Sequence, residues 1–111
     1  MSTILGSSVE DKLSLIIHDR APLEAVGLIL DGIRVVELPN KSPTPKNSFE
    51  VHKSDIIKVL EKEEDLPEII FWHSHPSGVI GPSKTDMRQK NNFMEYLVIT
   101  ITPDGLIYTR Y

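Results

Sequence analysis

Apolar and polar positions along the chain follow two different periods, and the switches between them lay out the elements. Residues 7–21, "SSVEDKLSLIIHDRA", place Leu13, Ile16 and Ile17 on one helical face. Ser7 or Ser8 stands where a cap is needed, acids fill the first turn, and Pro22 marks the end. "EAVGLIL" and "IRVVEL" are β-rich runs on either side of Asp31-Gly32, a strong hairpin signal. "PNKSPTPKNS" reads as a loop from its composition, and "FEV" (49–51) as a short strand. "SDIIKVLEKEED" is amphipathic, with Ser54 as its cap and Pro67 as its stop. "EIIFWHSH" is a mostly buried strand with Trp72 in the core, and it ends at Pro76. "PSGVIGP" is a loop, and "SKTDMRQKNNFM" opens a third helix. "YLVITI" and "LIYTRY" around Pro103-Asp104-Gly105 form a second hairpin. This order predicts an α/β (α+β) fold, one sheet with helices packed on it. Paired strands at both ends of the chain predict a mixed rather than purely parallel sheet.

Composition narrows the setting. A chain of 111 residues is one ordinary domain, taken here as 1–111, and it can bury a core without staples. Twelve basic residues stand against 16 acidic ones, for a net charge of −4, and no basic run occurs. A nucleic-acid backbone is therefore not expected as a partner. The absence of cysteine excludes disulfides, thiol catalysis and cysteine-bound zinc. The longest apolar runs are strand-sized, so no membrane span is expected. "MSTILGSSVEDK" has no basic region followed by a long apolar one, so no signal peptide is expected. A cytoplasmic setting fits these features.

Chemistry concentrates in "FWHSHPSGVIGPSKTD", residues 71–86. Residues two apart in a strand share a face, so the imidazoles of His73 and His75 converge. Asp86 adds a hard oxygen donor. Two imidazoles and a carboxylate make the three-ligand set of a catalytic zinc site, with a fourth position left for water. Such a site needs a base, and Glu24 is the leading candidate, because it opens an otherwise apolar strand where a charge has no packing role. A structural reading competes with this one. Ser83-Lys84-Thr85-Asp86 also has the form of a capping box, in which Ser83 and Asp86 only start a helix. His18 and His52 have no partner spacing and read as structural or solvated.

The chain resembles the JAB/MPN metalloproteases, which carry the JAMM motif. His73-Ser74-His75-Pro76, seven residues, then Ser83, two residues and Asp86 match that motif position for position, and "LEAVGLIL" supplies the upstream Glu24 and Gly27. Many relatives have cysteine where this chain has Val26. The resemblance implies the JAB/MPN, cytidine-deaminase-like architecture. It implies Zn²⁺ held by His73, His75 and Asp86, Glu24 as general base, and Ser83 as oxyanion donor. The implied reaction is hydrolysis of a peptide or isopeptide amide bond. About 25 residues follow Asp86, room for one helix and one hairpin, so the expected type is the minimal prokaryotic or phage one. Such domains act on ubiquitin-like tails or take part in phage tail assembly, and a phage-encoded one would sit in a host cytoplasm or virion. The implied substrate is an extended peptide or ubiquitin-like tail, with a further protein partner where loops need ordering. The loops 39–47 and 76–82 are expected to flank it, with Gly78 and Gly81 allowing close approach. RadC-like proteins share the loop chemistry but not the surroundings of Glu24. The competing classes are a non-catalytic MPN-like scaffold and a metal-binding domain without hydrolytic activity, and Glu24 discriminates, since neither needs a base.

Overall fold

The computed structural model describes residues 5–90 and 94–111. Its elements are α1 (Ser7–Arg20), β1 (Val26–Leu30), β2 (Arg34–Leu38), α2 (Lys53–Leu60), β3 (Ile69–His75), α3 (Lys84–Gln89), β4 (Glu95–Thr102) and β5 (Gly105–Arg110). The strands form one sheet in the order β2-β1-β3-β4-β5. Only β3 and β4 run parallel, joined through α3, and the other pairs are antiparallel. The mixed sheet expected from the two terminal hairpins is present. The first hairpin closes on Asp31 and Gly32, both at positive φ, the backbone form that matches the twist of its flanking strands.

Strand alternation gives the sheet two faces with different partners. On one, Ile70, Trp72, Ile29, Leu97 and Ile99 pack against Val9, Leu13 and Ile17 of α1. On the other, Leu28, Phe71 and Tyr96 pack beneath α2, whose Ile56, Val59 and Leu60 face inward with Phe49 and Val51. His73 and His75 continue the second row beyond Phe71, so the apolar stripe of β3 becomes a row of imidazoles near the strand end.

Four local expectations are corrected. Neither Ser7 nor Ser8 caps α1. Gly6 is the capping residue, and its carbonyl accepts from the Glu10 N–H. Ser54 does not cap α2 either, because the helix begins two residues earlier, at Lys53, and His52 takes the capping position. That helix stops at Leu60 and does not run on to residue 65, since beyond Leu60 no apolar side chain reaches the sheet and like charges crowd together. "FEV" is not a strand. Its Glu50 carbonyl accepts from the Lys41 N–H, while the Glu50 N–H bonds to the Asn40 side chain, so the segment is tied to its own loop. α3 is short, and residues 91–93 of its expected span lie outside the described residues.

Gly27 is set by packing. A Cβ there would overlap the Val36 carbonyl oxygen and come within 2.7 Å of the Trp72 ring. The indole lies across β1 and donates from Nε1 to the Leu28 carbonyl at 3.2 Å. Gly27→Ala is expected to destabilise the protein by about 3 kcal/mol, since backbone and indole cannot both yield. Urea unfolding of the variant tests this, and an unchanged midpoint would refute it.

Candidate active site

Three elements deliver the site. β3 supplies His73 and His75, pointing to the α2 face. α3 supplies Asp86 from its first turn. The stretch entering β1 supplies Glu24. All four side chains are buried, with Glu24 only 7% exposed.

The donor atoms of the first three converge. His73 Nε2 lies 3.2 Å from His75 Nε2, and Asp86 Oδ2 lies 3.1 Å from the first and 3.3 Å from the second. Tetrahedral zinc with bonds of about 2.0–2.1 Å has ligand atoms about 3.3–3.4 Å apart. The triangle therefore has the size of one face of a zinc coordination shell, and the donor set fits the ion. Glu24 also offers an oxygen within 4.8 Å of donor atoms on both histidines. Two triads thus share the histidines. The donor atoms of the Asp86 triad lie within 3.3 Å of one another, and those of the Glu24 triad within 4.8 Å.

The capping-box reading of Ser83 and Asp86 holds, and the same Asp86 carboxylate faces both imidazoles. Asp86 N–H donates to Ser83 Oγ at 3.0 Å, and Ser83 N–H donates to Asp86 Oδ2 at 2.8 Å. The box starts α3 and also fixes the carboxylate that meets the imidazoles. Ser83 Oγ accepts a hydrogen bond from the Asp86 N–H, which leaves its own hydroxyl proton to be donated elsewhere.

Electrostatics follow from burial. Burial pushes Glu24 up to about 7, His75 opposes this, and Asp86 reinforces it. His73 is lowered, because burial outweighs the pull of Asp86. Burial also acts to lower His75, but Asp86, Glu24 and the Val79 carbonyl outweigh it and leave His75 raised. Asp86 is driven far below the usual carboxylate range, since bonds from both histidines and the Ser83 N–H overcome burial. Two carboxylates and two imidazoles thus share one buried pocket, a donor set that could hold a divalent cation.

Glu24 is held through its backbone by residues that the motif does not contain. Its N–H donates to the Pro45 carbonyl at 2.7 Å, and its carbonyl accepts from Asn40 Nδ2 at 2.9 Å. Asn40 also donates to the Ser48 carbonyl and accepts from the N–H groups of Ser42 and Glu50. Its amide thus makes four bonds that fold the loop around Glu24. Ser74, between the histidines, points to the other face and accepts the Ala25 N–H at 2.8 Å, which locks the residue after Glu24 to β3. The only trace of these roles in the sequence was an Asn opening a proline-rich loop and a small polar residue inside a buried strand.

A cleft of about 190 Å³ opens over the site, lined by Glu24, Asn47, Phe49, His75, Ser83 and Asp86 among others. The 39–47 loop reaches this cleft at Asn47. The 76–82 loop bonds His75 through Val79.

The five-stranded mixed sheet carries a buried His-His-Asp cluster at one strand end, backed by a glutamate, and these donors could hold a metal ion. A family model described as prokaryotic homologs of the JAB domain matches residues 6–110, and the chain belongs to that family. A probable TtuB-protein conjugate cleaving protease of Thermus thermophilus is 31% identical over 83 residues, covering 70% of this chain and 56% of that protein. A desampylase of Haloferax volcanii is 29% identical over 68 residues, covering 60% and 48%. The chain spans about half the length of the curated relatives it matches. The solution structure of a Desulfitobacterium hafniense protein shares the fold with a TM-score of 0.69 at 22% identity, covering 93% of this chain and 86% of that one. Among the described residues no helix is long and apolar enough to cross a membrane.

Two measurements follow. With a pKa near 7 in the fold against 4.5 when free, Glu24 binds its proton more tightly folded than unfolded, so its burial costs stability as pH rises through that window. In metal-free protein Glu24→Gln should be neutral near pH 4 and stabilising by on the order of 3 kcal/mol above about pH 8. A wild-type/variant difference in urea midpoint that does not change with pH would contradict this. Asn40→Ala, which leaves the Glu24 carbonyl and two N–H groups unpaired, should lose about 2 kcal/mol in the same assay. Retention of full stability would show that water replaces the amide.

Proposed function

We propose that the chain is a zinc-dependent hydrolase that cleaves the peptide or isopeptide amide bond at a ubiquitin-like protein tail. The observation that carries this is the triangle of His73, His75 and Asp86 donor atoms at zinc spacing, with the buried carboxylate of Glu24 beside it. One relative is named for cleaving protein conjugates, which supports a protein-tail substrate over a phage tail-assembly role. A cytoplasmic setting suits such a substrate.

His73, His75 and Asp86 would hold the ion. Zinc there supplies a Lewis acid for the scissile carbonyl and lowers the pKa of its water to about 7. Glu24 takes a proton from the attacking water as the C–O bond forms, then delivers it to the leaving nitrogen as the C–N bond breaks. Its raised pKa suits both transfers near neutral pH. Ser83 aims its free hydroxyl proton at the oxyanion that develops on the carbonyl. His73 stays neutral through burial and so keeps a lone pair on Nε2. The residues reach their positions before substrate arrives, because the capping box, the Ser74–Ala25 bond and the Asn40 amide hold the backbone on all sides.

Glu24→Gln should keep about one zinc per chain and lose turnover of a lysine-linked ubiquitin-like conjugate by about 10²–10⁴-fold. His75→Ala with Asp86→Ala should lose the zinc. Elemental analysis and a gel-based cleavage assay read both. Turnover that survives Glu24→Gln would remove Glu24 as base, and well-folded wild type without stoichiometric metal would refute the hydrolase reading.

A further inference from the structure

Thr100 is fully buried on β4, and the destination of its hydroxyl links it to the site. It is the cross-strand partner of His75 in the parallel β3–β4 pair. Its Oγ1 donates to the Val79 carbonyl at 2.8 Å. The same carbonyl lies 3.1 Å from His75 Nδ1. A carbonyl oxygen has two lone pairs and can accept both protons. His73 has a looser partner, since its Nδ1 faces the Tyr111 hydroxyl at 3.4 Å.

We propose that Thr100 is a positioning residue for His75: by anchoring the Val79 carbonyl it keeps the imidazole proton on Nδ1 and the Nε2 lone pair directed at the ligand position. This rests on the reading of His75 as a metal ligand and extends it. The argument is a competition for one proton. Asp86 Oδ2, 3.3 Å from Nε2, favours a proton there, which would occupy the lone pair. The Val79 carbonyl favours the proton on Nδ1. Val79 belongs to a loop whose Gly78 and Gly81 have positive φ and whose Val79 and Ile80 side chains are 57% and 61% exposed. Without an anchor, that carbonyl can turn toward water. The buried Thr100 hydroxyl supplies the anchor from the rigid side of the site.

The test uses Thr100→Val, which removes the donor, and Thr100→Ser, which restores it. Ring-nitrogen NMR of the metal-free protein at about pH 8 reads the tautomer of neutral His75, and chelator competition reads zinc affinity. Wild type should carry the His75 proton on Nδ1. Thr100→Val should move population to Nε2–H and weaken zinc about 10–100-fold. Thr100→Ser should resemble wild type in both. A wild-type His75 protonated at Nε2 would overturn the proposal, as would zinc affinity unchanged in Thr100→Val or equally weakened in Thr100→Ser. If Thr100→Val does not fold, the wild-type tautomer and the serine variant still decide. A wild type that binds no zinc yet shows the Thr100-dependent tautomer would refute the metal reading and support the positioning role.

Discussion

Two carboxylates and two imidazoles are withdrawn from water at the end of β3, and the surrounding structure is arranged to keep them there. Glu24 and Asp86 would each lose several kcal/mol of hydration on burial as anions unless something compensates. For Asp86 the compensation is local, from the Ser83 N–H and the two imidazoles. For Glu24 it is incomplete, and the carboxyl therefore stays protonated up to about pH 7. That burial costs the protein stability above this pH and leaves Glu24 able to accept and release a proton near neutrality.

The sheet makes this possible by dividing its faces. Trp72 and α1 fill one face, and Gly27 lets the indole lie flat across β1. The other face begins apolar at Phe71 and becomes polar at His73, so a single strand runs from core into chemistry without a loop in between. Rigid strands place donor atoms more reliably than loops, and the ligand triangle draws two of its corners from one strand. The third corner comes from a helix of only six residues, held by its capping box and by the imidazoles themselves.

Beyond the motif, the site depends on residues that never meet a substrate. Asn40 folds the loop around Glu24, Ser74 pins the next residue to β3, and Thr100 holds the carbonyl that faces His75. Each is a polar group whose side chain bonds to backbone. That pattern explains how a compact chain maintains a charged, buried cluster. The chain's membership in the prokaryotic JAB family accords with this sheet and cluster.

The sequence alone determined the sheet, its two hairpins and the cluster, because these rest on local signals. Alternating apolar residues set strand faces, Asp31-Gly32 set a turn, and His73, His75, Ser83 and Asp86 stand close enough along the chain for their spacing to carry geometry. It misplaced the caps of α1 and α2 and the strand at 49–51, because a serine or a short β-rich run has several local options and packing chooses among them. Tertiary structure alone decided the rest. Whether Ser83 and Asp86 start a helix or join the histidines cannot be separated along the chain, and in space one Asp86 oxygen both accepts the Ser83 N–H and faces the imidazoles. The raised pKa of Glu24 and the roles of Asn40, Ser74 and Thr100 depend on burial and on contacts across 16 to 49 residues. Desolvation and hydrogen bonding act through space, and no periodicity in the sequence records them.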